Sequence, residues 1–258
     1  MLVDFNHGSG FVYGRDASDP EPIGARINRH IDAALEAERE GQRPRDYLGA
    51  SRIGEPCARR LVYEVTHTPP DPGKDFEGRV LRIFAAGHVF EDLAIRWLRQ
   101  AGFDLRTQTR EGGQFGFETA GGRIRGHVDG VIVAGPEVGI AWPVLWEHKA
   151  LKASSWSDTV KKGVRLSKPV YYGQMQIYMA YLGLGSALFT ALNKDSCELY
   201  HEHVPFDPAT AQELSDKAVT VLRAADAGEL LPRIATSQDF YLCRFCPFSA
   251  RCWVEAQP

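Results

Sequence analysis

Glu147, His148 and Lys149 close a strand-like run, AWPVLWEHKA. Side chains alternate along a strand, so Glu147 and Lys149 share one face and His148 takes the other. Asp129 lies in the preceding strand-like run, GHVDGVIV, and two neighbouring strands can set it beside Glu147. Two carboxylates a few ångströms apart repel each other unless a cation sits between them. Such hard oxygen ligands suit Mg2+ or Mn2+. A metal of this kind lowers the pKa of a bound water and makes it a nucleophile at neutral pH. Lys149 can position that water and offset charge growing on a phosphate. The backbone carbonyl of His148 is a further candidate ligand. A cross-strand ion pair would account for the same residues, but two further pairs favour catalysis.

The first pair is His88 and Glu91, in GHVFE. Three apart on a helix, they face the same way, with His88 a candidate third metal ligand and Glu91 an accessory acid. The second is Gln174 and Tyr178, four apart on the helix after the active strand and able to hydrogen-bond a phosphate or the carboxylates. Tyr171, Tyr172 and Tyr181 read as core aromatics. Taken in order, G-H-x-x-E, G-x-x-D-G, E-x-K and Q-x-x-x-Y resemble the RecB-like branch of the PD-(D/E)XK nucleases over residues 47–254. The likeness is closest to stand-alone exonucleases related to the four-cysteine, CRISPR-associated members. It implies metal binding by His88, Asp129 and Glu147, catalysis by Lys149, and a fourth motif at Gln174 and Tyr178. Val128 stands where the superfamily's eponymous proline would be.

The chain has five cysteines, an odd number with no secretory leader, which argues against a disulfide framework. Cys243, Cys246 and Cys252 are clustered, and C-x-x-C spacing lets two thiolates reach one metal centre. Three local thiolates leave one position short for Zn2+ or for a cubane cluster; Cys57, far upstream, could supply the fourth. The four-cysteine relatives have one cysteine before the nuclease core and three after it. The resemblance therefore implies a 4Fe–4S cluster on Cys57, Cys243, Cys246 and Cys252, with zinc as the alternative. Its role would be structural, clasping the Cys57 region to residues 240–254. Cys197 reads as a free thiol in a strand.

Nucleic acid is expected along LKASSWSDTVKKGVRLSKP, read as a loop after the active strand. It carries Lys152, Lys161, Lys162, Arg165 and Lys168 against Asp158, with Trp156 between them. Basic residues with an interleaved aromatic suit a single strand, whose phosphates meet the charges while a base stacks on the ring. Arg59 and Arg60 form a second basic spot. These local patches matter because the net charge is -3, which gives no global case for nucleic-acid binding.

The elements that must position these residues form a mixed α/β pattern. Ile23, Ile27, Ile31 and Leu35 recur every fourth residue and predict a helix to about Glu40, closed by Gly41 and Pro44. A second helix follows Cys57, and a long one spans Arg79 to Ala101. Strand-like runs separated by glycines occupy residues 103–150. A helix from Pro169, the strands SALFTALN and CELYHEHVPF, and a helix from Asp207 to Gly228 complete the core. Asp207 is the expected N-cap. The expected fold is thus a mixed central sheet flanked by helices, with a loose lead-in and helix over residues 1–46, a nuclease core over 47–254 and a small four-cysteine clasp.

Neither a membrane-length apolar run nor a secretory leader is evident in the 258 residues, so a cytoplasmic protein is expected. The phosphate-binding loop of a nucleotide motor is absent, so a helicase would be a separate partner. The acidic site predicts a Mg2+- or Mn2+-dependent nuclease; the resemblance implies a DNA exonuclease and, with the Trp–Lys run, single-stranded ends, with CRISPR adaptation, recombination and repair all open as settings. Two alternatives stand beside it: a catalytically inactive DNA-binding adaptor, and a hydrolase of small phosphate esters.

Overall fold

The computed structural model describes residues 22–42 and 45–254. All of the expected lead-in over residues 1–22 except Pro22 lies outside the described residues, as does Pro44. The chain divides into two compact units: residues 1–43 with 76–84, and residues 44–75 with 85–258. A sequence division near residue 46 does not anticipate that the first unit recruits residues 76–84.

In the first unit, helix α1 spans Ile23–Glu40 and is capped at Gly41. Its charged side meets residues 76–84. Glu36 accepts from the Gly78 amide at 2.7 Å, Asp32 pairs with Arg82, and the Arg39 guanidinium lies 4.2 Å from the Phe76 ring centroid. The fourfold apolar repeat that predicts this helix is open to solvent, with Ile23 and Ile27 each 53% exposed.

The second unit holds the sheets. β1 (Leu48–Gly49), β3 (Gly116–Thr119) and β4 (Ile124–His127) form a three-stranded sheet in the order β1-β4-β3. β2 (Leu105–Arg106), β5 (Gly130–Ile132), β6 (Val144–Leu151), β7 (Ser186–Asn193) and β8 (Leu199–Pro205) form a five-stranded sheet in that order. β6 and β7 run parallel and the other pairs of the larger sheet antiparallel. Its strands are therefore mixed, as expected.

The run GRIRGHVDGVIVAG is not one strand. β4 belongs to the smaller sheet and β5 to the larger, with Asp129 at the break. Gly130 permits the switch: a Cβ there would come within 2.7 Å of the Leu105 side chain and 2.9 Å of the Arg106 carbonyl.

Helices cover both faces. Ala94 on α3 (Gly78–Gln100) joins Val144, Trp146, Leu188 and Ile132 in one core. The larger core joins Leu145, Leu151 and Phe189 to Met175 and Ile177 of α5 (Pro169–Leu182) and to Val221 of α6 (Pro208–Ala227). Asp207 caps α6 as expected, accepting from the Thr210 amide at 3.1 Å.

Three local expectations change. Residues read as a loop form α4 (Ala153–Ser167), kinked where Gly163 takes φ 73°. Trp156 and Val164 lie eight apart on it and both pack into the core, an apolar spacing masked by the surrounding lysines and the glycine. Cys197 sits exposed in the turn between β7 and β8 with φ 63°, not in a strand. The tail folds into two short helices, α7 (Tyr241–Arg244) and α8 (Ser249–Val254), while α2 (Ala58–Val65) begins directly after Cys57. Among the described residues, no helix is long and apolar enough to cross a membrane.

Candidate metal-dependent active site

The break between β4 and β5 is fastened to β6 by Asp129, whose carboxylate accepts from the His148 amide at 2.8 Å. Gly130 pairs with Trp146, so the strand register sets Asp129 next to Glu147. Alternation along β6 then acts as expected. Lys149 Nζ donates to Glu147 Oε1 at 2.5 Å and to the His148 carbonyl at 2.9 Å, and lies 3.8 Å from Asp129 Oδ2. The His148 ring takes the other face and stacks on Trp146 with centroids 5.7 Å apart. Burial there pushes its pKa down to about 4.

The buried face of α5 completes the constellation. Gln174 Nε2 donates to Glu147 Oε1 at 2.7 Å. Tyr178 is buried beside it, bonded to Gln174, with its phenol held well above the ordinary range by burial and then by the charges of Glu147 and Asp129. Glu147 itself is 0% exposed. Its Oε1 serves two donors while its Oε2 is buried with no hydrogen-bond partner. Burial, and next the Asp129 charge, push the Glu147 carboxyl up to about 8.

Helix α3 contributes Glu91, with its side chain 27% exposed. Burial and then the Asp129 charge push it up to about 7. His88 is not brought to the carboxylates in the same way. Its side chain is 82% exposed and its ring nitrogen is 3.9 Å from Glu91. On this helix face the acid turns inward and the imidazole outward. For Lys149, burial alone would lower the pKa, but the Glu147 and Asp129 charges hold it above its ordinary value.

This donor set fits a divalent cation. A buried carboxylate oxygen lacks a partner, and the Asp129 charge adds to burial in making ionisation of Glu147 and Glu91 costly beside one lysine. Among the described residues, no three His, Cys, Asp or Glu groups converge on one ion. Asp129, Glu147 and the His148 carbonyl would hold a metal that keeps several waters, the habit of Mg2+.

Cys57, Cys243, Cys246 and Cys252 line one cavity, together with Arg60 and Arg233. All four are free thiols. Burial, and then the charges of neighbouring cysteines, hold the Cys243 thiol above its ordinary range; Cys57 and Cys246 are likewise raised by burial first. The fold thus brings cysteines from both ends of the second unit to one place.

The expected DNA contacts divide. Lys161 and Lys162 are exposed on α4 and Lys152 is exposed just before it, with Lys162 paired to Asp158 at 2.6 Å. Arg165 is 64% exposed, 3.4 Å from Asp207 and stacked over Tyr172. Trp156 is not free to stack on a base: its indole N–H donates to the Ala191 carbonyl at 3.0 Å and its ring packs against the core. Arg59 is 0% exposed, donating to the Tyr63 hydroxyl and the Leu231 carbonyl, and so presents no surface to DNA. Arg60 is held by Glu55 at 3.3 Å and Glu64 at 3.1 Å. One site neighbour escapes the sequence reading: Tyr171, whose ring centroid lies 5.2 Å from Lys149 Nζ.

The sequence matches no family model and no curated protein. Solved structures are more informative. The alkaline exonuclease of Laribacter hongkongensis superposes with a TM-score of 0.50 at 17% identity, over 78% of this chain and 93% of that one. Its complex with dAMP gives 0.51 at 17% identity over the same shares. The chain has an exonuclease-like α/β fold. SSO0001 is similar at a TM-score of 0.50 and 17% identity, over 90% of this chain and 98% of that one. At such identities the likeness establishes the mixed sheet flanked by helices, and the chemistry must come from the site.

Proposed function

We propose that the chain is a metal-dependent deoxyribonuclease of the RecB-like PD-(D/E)XK kind, an exonuclease hydrolysing phosphodiester bonds from DNA ends. The observation that carries this reading is the state of Glu147. One of its oxygens is saturated by Lys149 and Gln174, and the other is buried and unpartnered. A plain ion pair would satisfy the carboxylate; this arrangement leaves a lone-pair donor where a cation would sit.

Bound Mg2+ or Mn2+ would supply Lewis acidity and an activated water. The protein's own groups do the rest. Asp129 and Glu147 fix the position of the cation, and Gln174 orients Glu147. Tyr178, bonded to Gln174, keeps that amide turned toward the carboxylate. Lys149, held cationic, meets charge developing on the phosphate and can give a hydrogen bond to its oxygen. Glu91 is an accessory acid at the same centre. His88, exposed at the rim, serves the metal only if its side chain turns inward. Lys152, Lys161, Lys162 and Arg165 along α4 would hold the DNA backbone. The exonuclease named for Laribacter, with its dAMP complex, supports DNA ends as the substrate class. A helicase or recombination factor would act as a separate partner.

The four cysteines fit a 4Fe–4S cluster. Four thiols line one cavity, yet no three groups converge on a single ion. A cubane spreads its thiolates over a wider shell than tetrahedral zinc, whose bonds are only about 2.3 Å, and zinc is the alternative occupant. Its contribution would be a cross-link between the Cys57 segment and residues 240–254.

The test is digestion of linear and covalently closed circular DNA, single- and double-stranded, with Mg2+ or Mn2+. Release of nucleotides from linear DNA alone supports the exonuclease. Cutting of circles makes it an endonuclease. Binding without cutting makes it an adaptor, and cleavage of a small phosphate ester alone makes it a different hydrolase.

A further inference from the structure

Tyr171, Gln174 and Tyr178 are spaced three and four apart on α5, which places them on one helix face. Gln174 meets Glu147 and Tyr178 lies behind it. Tyr171, the first of the three, meets the lysine instead, with Lys149 Nζ 5.2 Å from its ring centroid. Its backbone is fixed, because Pro169 opens the helix and the preceding Val170 packs against Gly54 so tightly that a Cβ on Gly54 would lie 2.8 Å from the Val170 carbonyl. Tyr171 is half-buried, at the margin of the core.

We propose that Tyr171 is a positioning residue for Lys149, its ring face holding the ammonium at the scissile phosphate. The role rests on the nuclease reading above. The physical reason is competition for oxygen. Lys149 now draws on Glu147 Oε1 and on the His148 carbonyl, and the second of these is an oxygen that a cation would also want. An aromatic face attracts an ammonium within about 6 Å through its quadrupole and takes no oxygen lone pair from the metal. The ring therefore keeps the lysine in place when the His148 carbonyl is given up to the cation.

The test compares Tyr171→Phe, which keeps the ring, with Tyr171→Leu, which keeps bulk without a π face. A cation–π contact of roughly 0.5–2 kcal/mol predicts that kcat falls about two- to thirty-fold in the Leu variant. KM should be unchanged in both variants, and the Phe variant should stay within about two-fold of the parent. A second readout is independent of catalysis. The Lys149 ε-methylene proton resonance, assigned by its loss in Lys149→Arg, should be shifted upfield by the ring in the parent and Phe variant and should relax downfield in the Leu variant. A Phe variant as impaired as Leu, a loss confined to KM, or a resonance that ignores the Leu change each overturns the role. A parent that cuts DNA equally well as Tyr171→Leu overturns the role and leaves the nuclease reading standing; a parent that cuts nothing overturns that reading and the role with it.

Discussion

Gln174 donates its side-chain amide to Glu147 Oε1 at 2.7 Å, across from the oxygen that has no partner. The amide thereby decides which way the carboxylate faces. Groups that orient a metal-ligating carboxylate typically matter about 10- to 100-fold. Gln174→Ala should lower kcat/KM by that order while the protein remains folded, as read by its circular dichroism. An unchanged rate would mean that Glu147 needs no orientation from α5.

The carboxyl pKa values set a pH dependence. Glu147 is raised from 4.5 to about 8 and Glu91 from 4.5 to about 7 in the metal-free protein. A raised carboxyl binds protons that the unfolded chain releases. Its stabilising contribution is full below its unfolded pKa and is lost as pH rises through the folded value. Metal-free protein should therefore lose stability between about pH 5 and about pH 8, while Mn2+, which displaces those protons, binds more tightly over the same range. Thermal melts with and without Mn2+ should diverge as pH rises. A constant gap would contradict the placement of the metal at these acids.

The 4Fe–4S cluster proposed for the four cysteines predicts a cross-link. Cys57→Ala should abolish bound iron and its visible absorbance. It should cost about 3 kcal/mol or more, roughly 10 °C in Tm for a domain of this size. Cys197→Ser, in an exposed turn, should change neither. Stoichiometric zinc instead of iron would replace the cluster with a zinc clasp.

Exposed and buried basic residues should behave differently. Lys161→Ala with Lys162→Ala should weaken single-stranded DNA binding and flatten its salt dependence, each lost phosphate contact reducing the slope by about 0.7. Arg59→Ala should lower Tm and leave the salt slope unchanged, because its guanidinium is buried among Tyr63 and Leu231.

The contrast shows what the sequence makes legible. Strand alternation placed Glu147 and Lys149 together, and helix spacing placed Gln174 and Tyr178 toward them, because these are periodic consequences of local structure. Asp207 capping α6 was readable for the same reason. Long-range packing was not. The lysine-rich run after Lys149 reads as a loop, yet Trp156 anchors it as a helix through a contact to Ala191. Arg59 reads as a surface charge and is buried by the fold around the cysteines. His88 and Glu91 share a helix face, but only the tertiary arrangement decides that the acid points inward and the imidazole outward. Tyr171 packs against the core as its aromatic type and helical position suggest, but these do not reveal that a lysine from a strand also meets the ring.

The most direct test of the central claim is digestion of end-labelled DNA with Mg2+ or Mn2+ by the parent and by Lys149→Ala. The account predicts that the parent degrades the DNA and that a folded Lys149→Ala protein, still able to bind it, does not. Binding without degradation by the parent under either metal, or full activity in Lys149→Ala, would contradict it.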